Sequence, residues 1–217
     1  MAKAIALAFF NKSWLHVCHV SQQSQLQLIK EAKRCGLKVT CEATPHHLFL
    51  NKNDQKRLGS FAKMRPPLPT KKDQKALWQA LNQGLIDYLV TDHAPHTIKE
   101  KKSANPPNGV PGLETMLPLL LTAVCQKRLT LEKLKQLICF NPGRLLGIKL
   151  KNSWIEVDLD KKWTIKNKDL ETKCSWSPFA GLQVKGKVVK VYISGKRVFE
   201  NGKILASPGQ GRSLICH

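Results

Sequence analysis

Asp92, His93 and His96 stand within five residues of one another, in a stretch reading Ile86-Asp-Tyr-Leu-Val-Thr-Asp-His-Ala-Pro-His96. A carboxylate and two imidazoles this close can supply a metal ligand, a general base and an anion contact. Two further histidines, His16 and His19, flank Cys18, and His46 and His47 follow Thr44-Pro45. Each of these groups sits just after, or inside, a short β-favouring run. An Asp-His pair in a solvated loop is the ordinary alternative, and what argues against it here is the apolar run in front and the Gly/Pro-rich loop behind.

The elements that must position these side chains follow from the pattern. Residues 14–20 form a β-like run, and Ser21 can cap a helix with apolar positions at Leu26, Ile29 and Ala32, ended by Gly36. Residues 37–43 alternate as a second strand. Thr70 opens a helix (Ala76, Leu77, Ala80, Leu81) closed by Gly84, and Tyr88-Leu89-Val90 is a third, buried strand ending at Asp92. Strand-helix-strand-helix-strand is the signature of a parallel sheet in an α/β protein, and in an α/β barrel the chemistry sits at the C-terminal ends of the strands. Residues 97–112 read as a long loop centred on Asn105-Pro-Pro-Asn-Gly109, a length that in compact domains is functional or disordered. Residues 113–126 read as a buried apolar helix, Thr130 starts another, and Asn141-Pro142-Gly143 reads as a break. From Trp154 the texture turns to β, with tight turns expected at Ser194-Gly195 and Asn201-Gly202. The expected division is residues 1–149 as barrel-type α/β and 150–217 as a small β-subdomain with a tail.

Composition narrows the classes. The 217 residues carry a formal charge of +21, from 29 Lys and 7 Arg against 15 acidic residues. The cations are dispersed, with no aromatic-basic interleaving and no recognisable nucleic-acid module, so solvated lysine faces account for them and a nucleic-acid partner is not expected. The seven cysteines are odd in number and show no CxxC spacing, which points to free thiols in a reducing, cytoplasmic setting. No apolar run reaches membrane-spanning length, and residues 1–10 read as the tail of an amphipathic helix rather than a signal peptide.

Thr91-Asp-His-Ala-Pro-His-Thr97, then Glu100-Lys101 and Val110-Pro-Gly-Leu-Glu-Thr115, resembles the signature of dihydroorotases, most closely the type found in animal trifunctional pyrimidine-synthesis proteins. The likeness runs from about Ala4 to about Gly209. It implies the C-terminal part of a TIM-barrel amidohydrolase domain followed by a small β-subdomain. It also implies zinc, as a binuclear site in the full domain, and reversible interconversion of N-carbamoyl-L-aspartate and dihydroorotate. Carried over residue by residue, His19 is a zinc ligand, and Asp92 is both zinc ligand and proton shuttle. Arg65 and His96 contact the substrate, Arg65 through its planar fork. Asn108 and Gly109 bring backbone to the substrate ring; Asn108 stands where the family has Pro, so only its backbone is assigned. The resemblance gives His46 and His47 no metal role and leaves them to hold the turn after Thr44-Pro45; Cys18, next to His19, is expected to be a packing residue or to lie near the metal rather than to act as a nucleophile.

The same pattern needs a His-x-His pair with a following Arg, a carboxylated Lys and a further His, none of which is in these residues. The expectation is therefore a piece of a longer chain whose partner is the missing N-terminal half of the barrel, with homo-oligomers in the full protein. The alternatives are a truncated, non-catalytic relative with a binding or assembly role, and a hydantoinase- or allantoinase-like amidohydrolase.

Overall fold

The computed structural model describes residues 1–148 and 151–211. Helix α1 (Ala2–Phe10) leads into β1 (Leu15–Val17), α2 (Gln23–Arg34), β2 (Val39–Ala43), α3 (Pro45–Phe49), α4 (Gln55–Leu58), α5 (Lys71–Asn82) and β3 (Tyr88–Leu89). The strands form a parallel three-stranded sheet in the order β1-β2-β3, with His16 beside Thr40 and Glu42 beside Tyr88. Parallel neighbours need a crossover, and α2 and α5 provide the two. Each lays its apolar stripe on the sheet: Leu26 and Ile29 from α2 and Leu77 and Leu81 from α5 are buried with Cys41, Ala43 and Leu89. The starts and stops are local. A reciprocal Thr70/Asp73 capping box opens α5, and glycines with φ +79° and +80° end the turns after α2 and α5 at Gly36 and Gly84. Helix α2 is capped by Gln22 and Gln25 rather than by Ser21, whose own N–H is taken by the Gln25 side chain.

Two further features differ from the sequence reading. The loop after Asp92 contains a one-turn helix, α6 (Ile98–Lys101), closed by a Thr97/Glu100 capping box. Asn141-Pro142-Gly143 does not break the chain: α8 (Leu131–Lys135) runs through a π-helical turn, Gln136–Phe140, into α9 (Asn141–Leu146). Pro142 follows directly on the π-helical turn, where the regular hydrogen-bond ladder is already interrupted. The expected boundary at 149/150 lies outside the described residues.

Helix α7 (Leu113–Cys125) is the post on which the rest leans. An antiparallel four-stranded sheet, β4 (Trp154–Thr164), β5 (Gln183–Ile193), β6 (Lys196–Glu200) and β7 (Lys203–Ile204), packs β5 on its outer face. A Cβ at Gly186 would meet Leu121 Cβ at 2.8 Å, so strand and helix backbones approach where only glycine fits. The turns at Ser194-Gly195 and Asn201-Gly202 have positive φ at both residues, as expected of primed hairpin turns. A second core joins residues from both sides of the expected boundary: Ile165, Trp176, Phe179 and Val184 are buried with Leu50, Met64, Leu68 and Leu119.

Candidate active site

Strand ends deliver the polar groups to one rim of the parallel sheet. His19 follows β1 and Asp92 follows β3, and both have left-handed backbone, φ +36° and +45°. That region is unfavourable for residues other than glycine, on the order of 1–3 kcal/mol each, and is seldom kept without a compensating role. In the helical turn α3, just after β2, stands His46, only 2 % exposed, whose Nε2 lies 3.8 Å from Asp92 Oδ2. Burial, then the neighbouring His47 and His19, push its pKa well below the ordinary histidine value, so it faces the Asp92 carboxylate as neutral imidazole rather than as an ion-pair partner. Two buried side-chain nitrogens among the described residues have no hydrogen-bond partner, His19 Nδ1 and His46 Nε2. Orphaned acceptors or donors of this kind cost about 1–3 kcal/mol unless something fills them.

His46 and His47 thus divide their work. His47 holds the turn, sharing a hydrogen bond with Thr44 Oγ1 at 2.8 Å and donating Nε2–H to the Pro66 carbonyl at 3.1 Å. His46 does not hold it and turns to Asp92 instead. Nothing in the order of two adjacent histidines distinguishes them; only the direction of the helical turn α3 does.

A second cluster adjoins the first. His16, Cys18 and Glu42 bring one ligating atom each to within 4.8 Å of one another. Glu42 Oε2 meets His16 Nε2 at 3.0 Å and its Oε1 accepts the His19 backbone N–H at 3.3 Å. Burial, with the Glu42 and Asp92 charges, raises the Cys18 thiol pKa, so Cys18 is a thiol rather than a ready nucleophile unless a cation joins it. Glu42 is absent from the sequence-derived set. The available signal is its place in an alternating strand, one step before the strand end, next to the histidine strand.

The remaining predicted residues form a second wall. His96 Nε2 donates to the Asn108 carbonyl at 3.0 Å, and its own carbonyl accepts Trp176 Nε1–H at 2.7 Å. Gly109 has φ +125°, and a Cβ there would lie 2.7 Å from Ala94 Cβ and 3.4 Å from His96 Nε2. The loop therefore folds back tightly onto the Asp92–His96 segment, as the bridge between His93 and Val110 also shows. Arg65 is exposed, at a cis peptide bond to Pro66, and Lys63 beside it accepts the Gly109 N–H at 3.0 Å. His93, the third member of the opening triad, points elsewhere: its Nδ1 accepts the backbone N–H groups of Gly112 and Leu113, capping α7. Chemically the arrangement offers a carboxylate beside the unfilled His46 nitrogen, on a segment against which the Gly109 loop folds.

No protein-family profile matches the chain. Curated relatives do. It is 46 % identical over 216 residues to multifunctional protein pyr1-3 of Dictyostelium discoideum, covering 99 % of this chain and 10 % of that protein. It is 45 % identical over 202 residues to multifunctional protein CAD of Squalus acanthias, covering 92 % and 9 %. The dihydroorotase of Pyrococcus horikoshii is 38 % identical, covering 98 % of this chain and 51 % of the relative. Among solved structures, a D-hydantoinase from Thermus sp. superposes with TM-score 0.92 at 26 % identity, covering 98 % and 50 %. An inactive dihydroorotase-like domain of a CAD-like protein from Chaetomium thermophilum gives 0.75 at 30 %, covering 95 % and 57 %. The chain spans about a tenth of the multifunctional relatives and about half of the single dihydroorotases and hydantoinases. Relatives at these identities, together with the superposition on amidohydrolase structures, place the chain in the dihydroorotase family, about half the length of whose single-domain members it spans.

Proposed function

We propose that this chain is the C-terminal part of a dihydroorotase catalytic domain, dividing near residue 149 into barrel and β-subdomain by sheet though not by core. It works on N-carbamoyl-L-aspartate and dihydroorotate once the remaining barrel strands are supplied. The observation that carries the reading is the His46–Asp92 pair, 3.8 Å apart, together with left-handed backbone at His19 and Asp92 and unfilled buried nitrogens on His19 and His46. That donor set, nitrogen and carboxylate, fits zinc. His19 and Asp92 would hold it, with His46 beside them and the His16, Cys18 and Glu42 group as a neighbouring set of ligand atoms. Zinc, when bound, polarises a carbonyl and lowers the pKa of its water.

The protein's own groups do the rest. Asp92, partly open to solvent, takes the proton from the attacking water during ring opening and returns it to the departing ring nitrogen; in ring closure the transfers run in reverse. Arg65 and His96 hold the substrate carboxylate, and the Asn108-Gly109 backbone closes over the ring. The fold-back of Gly109 onto Ala94 supports this reading, since it orders that loop without substrate.

The runner-up is a non-catalytic relative with a binding or assembly role. It is supported by the likeness to the inactive dihydroorotase-like domain from Chaetomium thermophilum. The experiment joins the chain to the missing barrel half of a curated dihydroorotase and assays ring opening with zinc present. Turnover that disappears in Asp92→Ala, with zinc-free protein still folded, supports catalysis. A folded, zinc-loaded hybrid without turnover selects the non-catalytic reading.

A further inference from the structure

Lys101 is fully buried, 0 % exposed, and makes no ion pair among the described residues. A buried charge is costly unless it is fully hydrogen-bonded. Here the ammonium donates all three of its protons to backbone carbonyls: Lys63 at 3.0 Å, Pro107 at 2.9 Å and Gly109 at 3.0 Å. The burial, and the nearby Lys63, lower its pKa to about 8. Its Nζ also lies 5.7 Å from the centre of the Trp176 ring, whose Nε1 holds the His96 carbonyl. The Thr97/Glu100 capping box of α6 places Lys101 where it can do this.

The direction of the carbonyls matters. Those of Pro107 and Gly109 turn inward to Lys101, while that of Asn108, between them, turns the other way to His96. Lys63 O accepts from both Lys101 Nζ and the Gly109 N–H, so two segments some 40 residues apart are fastened at one atom. Arg65 lies two residues beyond Lys63.

We propose that Lys101 is the positioning residue of the substrate wall: its ammonium sets the alternation of the 107–109 carbonyls and the spacing between that loop and the Arg65 segment. A methionine would fill the volume without the desolvation cost, but it would leave the Pro107 and Gly109 carbonyls unpartnered and Lys63 O with the Gly109 N–H alone. The assignment of the wall to substrate rests on the dihydroorotase reading; the clamp itself does not.

Residue-resolved hydrogen exchange on the full chain separates the two. In Lys101→Met the Gly109 amide should lose protection tenfold or more while the amides of α5 keep theirs, and Lys101→Arg, which retains charge and donors, should recover part of the loss. Unchanged Gly109 protection, or equal loss across α5, overturns the proposal. Wild-type protein provides a check that needs no variant. Acylation of the Lys101 amine and exchange at Gly109 should be limited by one opening event of equal rate, and acylation far faster than that opening overturns it. In the barrel-completed hybrid, Lys101→Met should raise KM for dihydroorotate at least tenfold and change kcat less. An unchanged KM counts against the clamp's place in substrate binding. A hybrid inactive with Lys101 intact counts against the dihydroorotase reading, and the exchange result still decides the clamp.

Discussion

At the scale of residues, side chains of one type take opposite parts according to what surrounds them. His47 is buried between Thr44 and Pro66; burial pulls its pKa down to about 4, partly offset by the Pro66 hydrogen bond and reinforced by His19. The unfolded chain binds a proton at this histidine below its ordinary 6.5, whereas the folded one waits until about 4. Unfolding therefore takes up protons across that window, and stability is fully present above it and falls as pH drops from about 6.5 toward 4. His46 adds to the same trend. Urea midpoints of the completed barrel at pH 7, 5.5 and 4.5 should decline in that order, and a flat profile would place both histidines outside the buried network. His96 tests the substrate wall. With Nε2–H donated to Asn108, Nδ1 meets an anion as a donor only when it too carries a proton. A charge-assisted hydrogen bond contributes roughly 1.5–3 kcal/mol, so His96→Ala should weaken dihydroorotate binding about tenfold to a hundredfold. Titration calorimetry of the hybrid checks this, and loss of zinc with unchanged affinity would make His96 a ligand instead.

At the scale of elements, α7 begins where the site ends. Gly112, its N-cap, packs so closely on Thr91 that a Cβ would meet the Thr91 carbonyl at 2.6 Å, and His93 Nδ1 satisfies two of its free N–H groups. Glu114 in the first turn reaches the other way, accepting the backbone N–H groups of Glu171 and Thr172. The helix thus ties the strand end that bears Asp92 to the segment before β5. Removing a cap costs about 1 kcal/mol, within a range of roughly 0.5–2. His93→Ala should lower unfolding free energy by that amount while leaving zinc content unchanged; metal loss equal to that of a ligand variant would contradict the capping role. Gly109→Ala is a harsher change, since φ +125° and the Ala94 contact both oppose a side chain. It should displace the loop, costing more than about 1 kcal/mol and raising KM, as read by denaturant titration and steady-state kinetics.

At the scale of the whole molecule, the parallel sheet of the described residues has three strands, and both outer ones, β1 and β3, offer a free edge. An eight-stranded barrel has none. Helix α1 beside β1 buries only Ala8 and shows Leu7, Phe9 and Phe10, the last 81 % exposed. Free edges flanked by apolar side chains favour association. The chain by itself should run larger than a monomer in light scattering and show no ring opening with added zinc. A monodisperse, cooperatively melting monomer that turns over dihydroorotate would refute both points. No described helix is long and apolar enough to cross a membrane.

What the sequence determined by itself was whatever depends on neighbours in the chain. The glycine stops after α2 and α5, the Thr70 cap, the primed turns at Ser194-Gly195 and Asn201-Gly202, and the strand that ends at Asp92 all follow from residues a few positions apart. The tertiary structure alone decided which atoms face each other across crossovers. His46 differs from His47 because a single helical turn aims one at β3 and the other at the Pro66 segment. Glu42 joins His16 and Cys18 because β1 and β2 pair in a register set by packing. Lys101, one lysine among 29 in the sequence, is distinguished only by three carbonyls drawn from two loops. Hydrogen bonds between segments tens of residues apart leave no periodicity in the chain, because what selects them is the direction of a few side chains once the sheet and helices have packed.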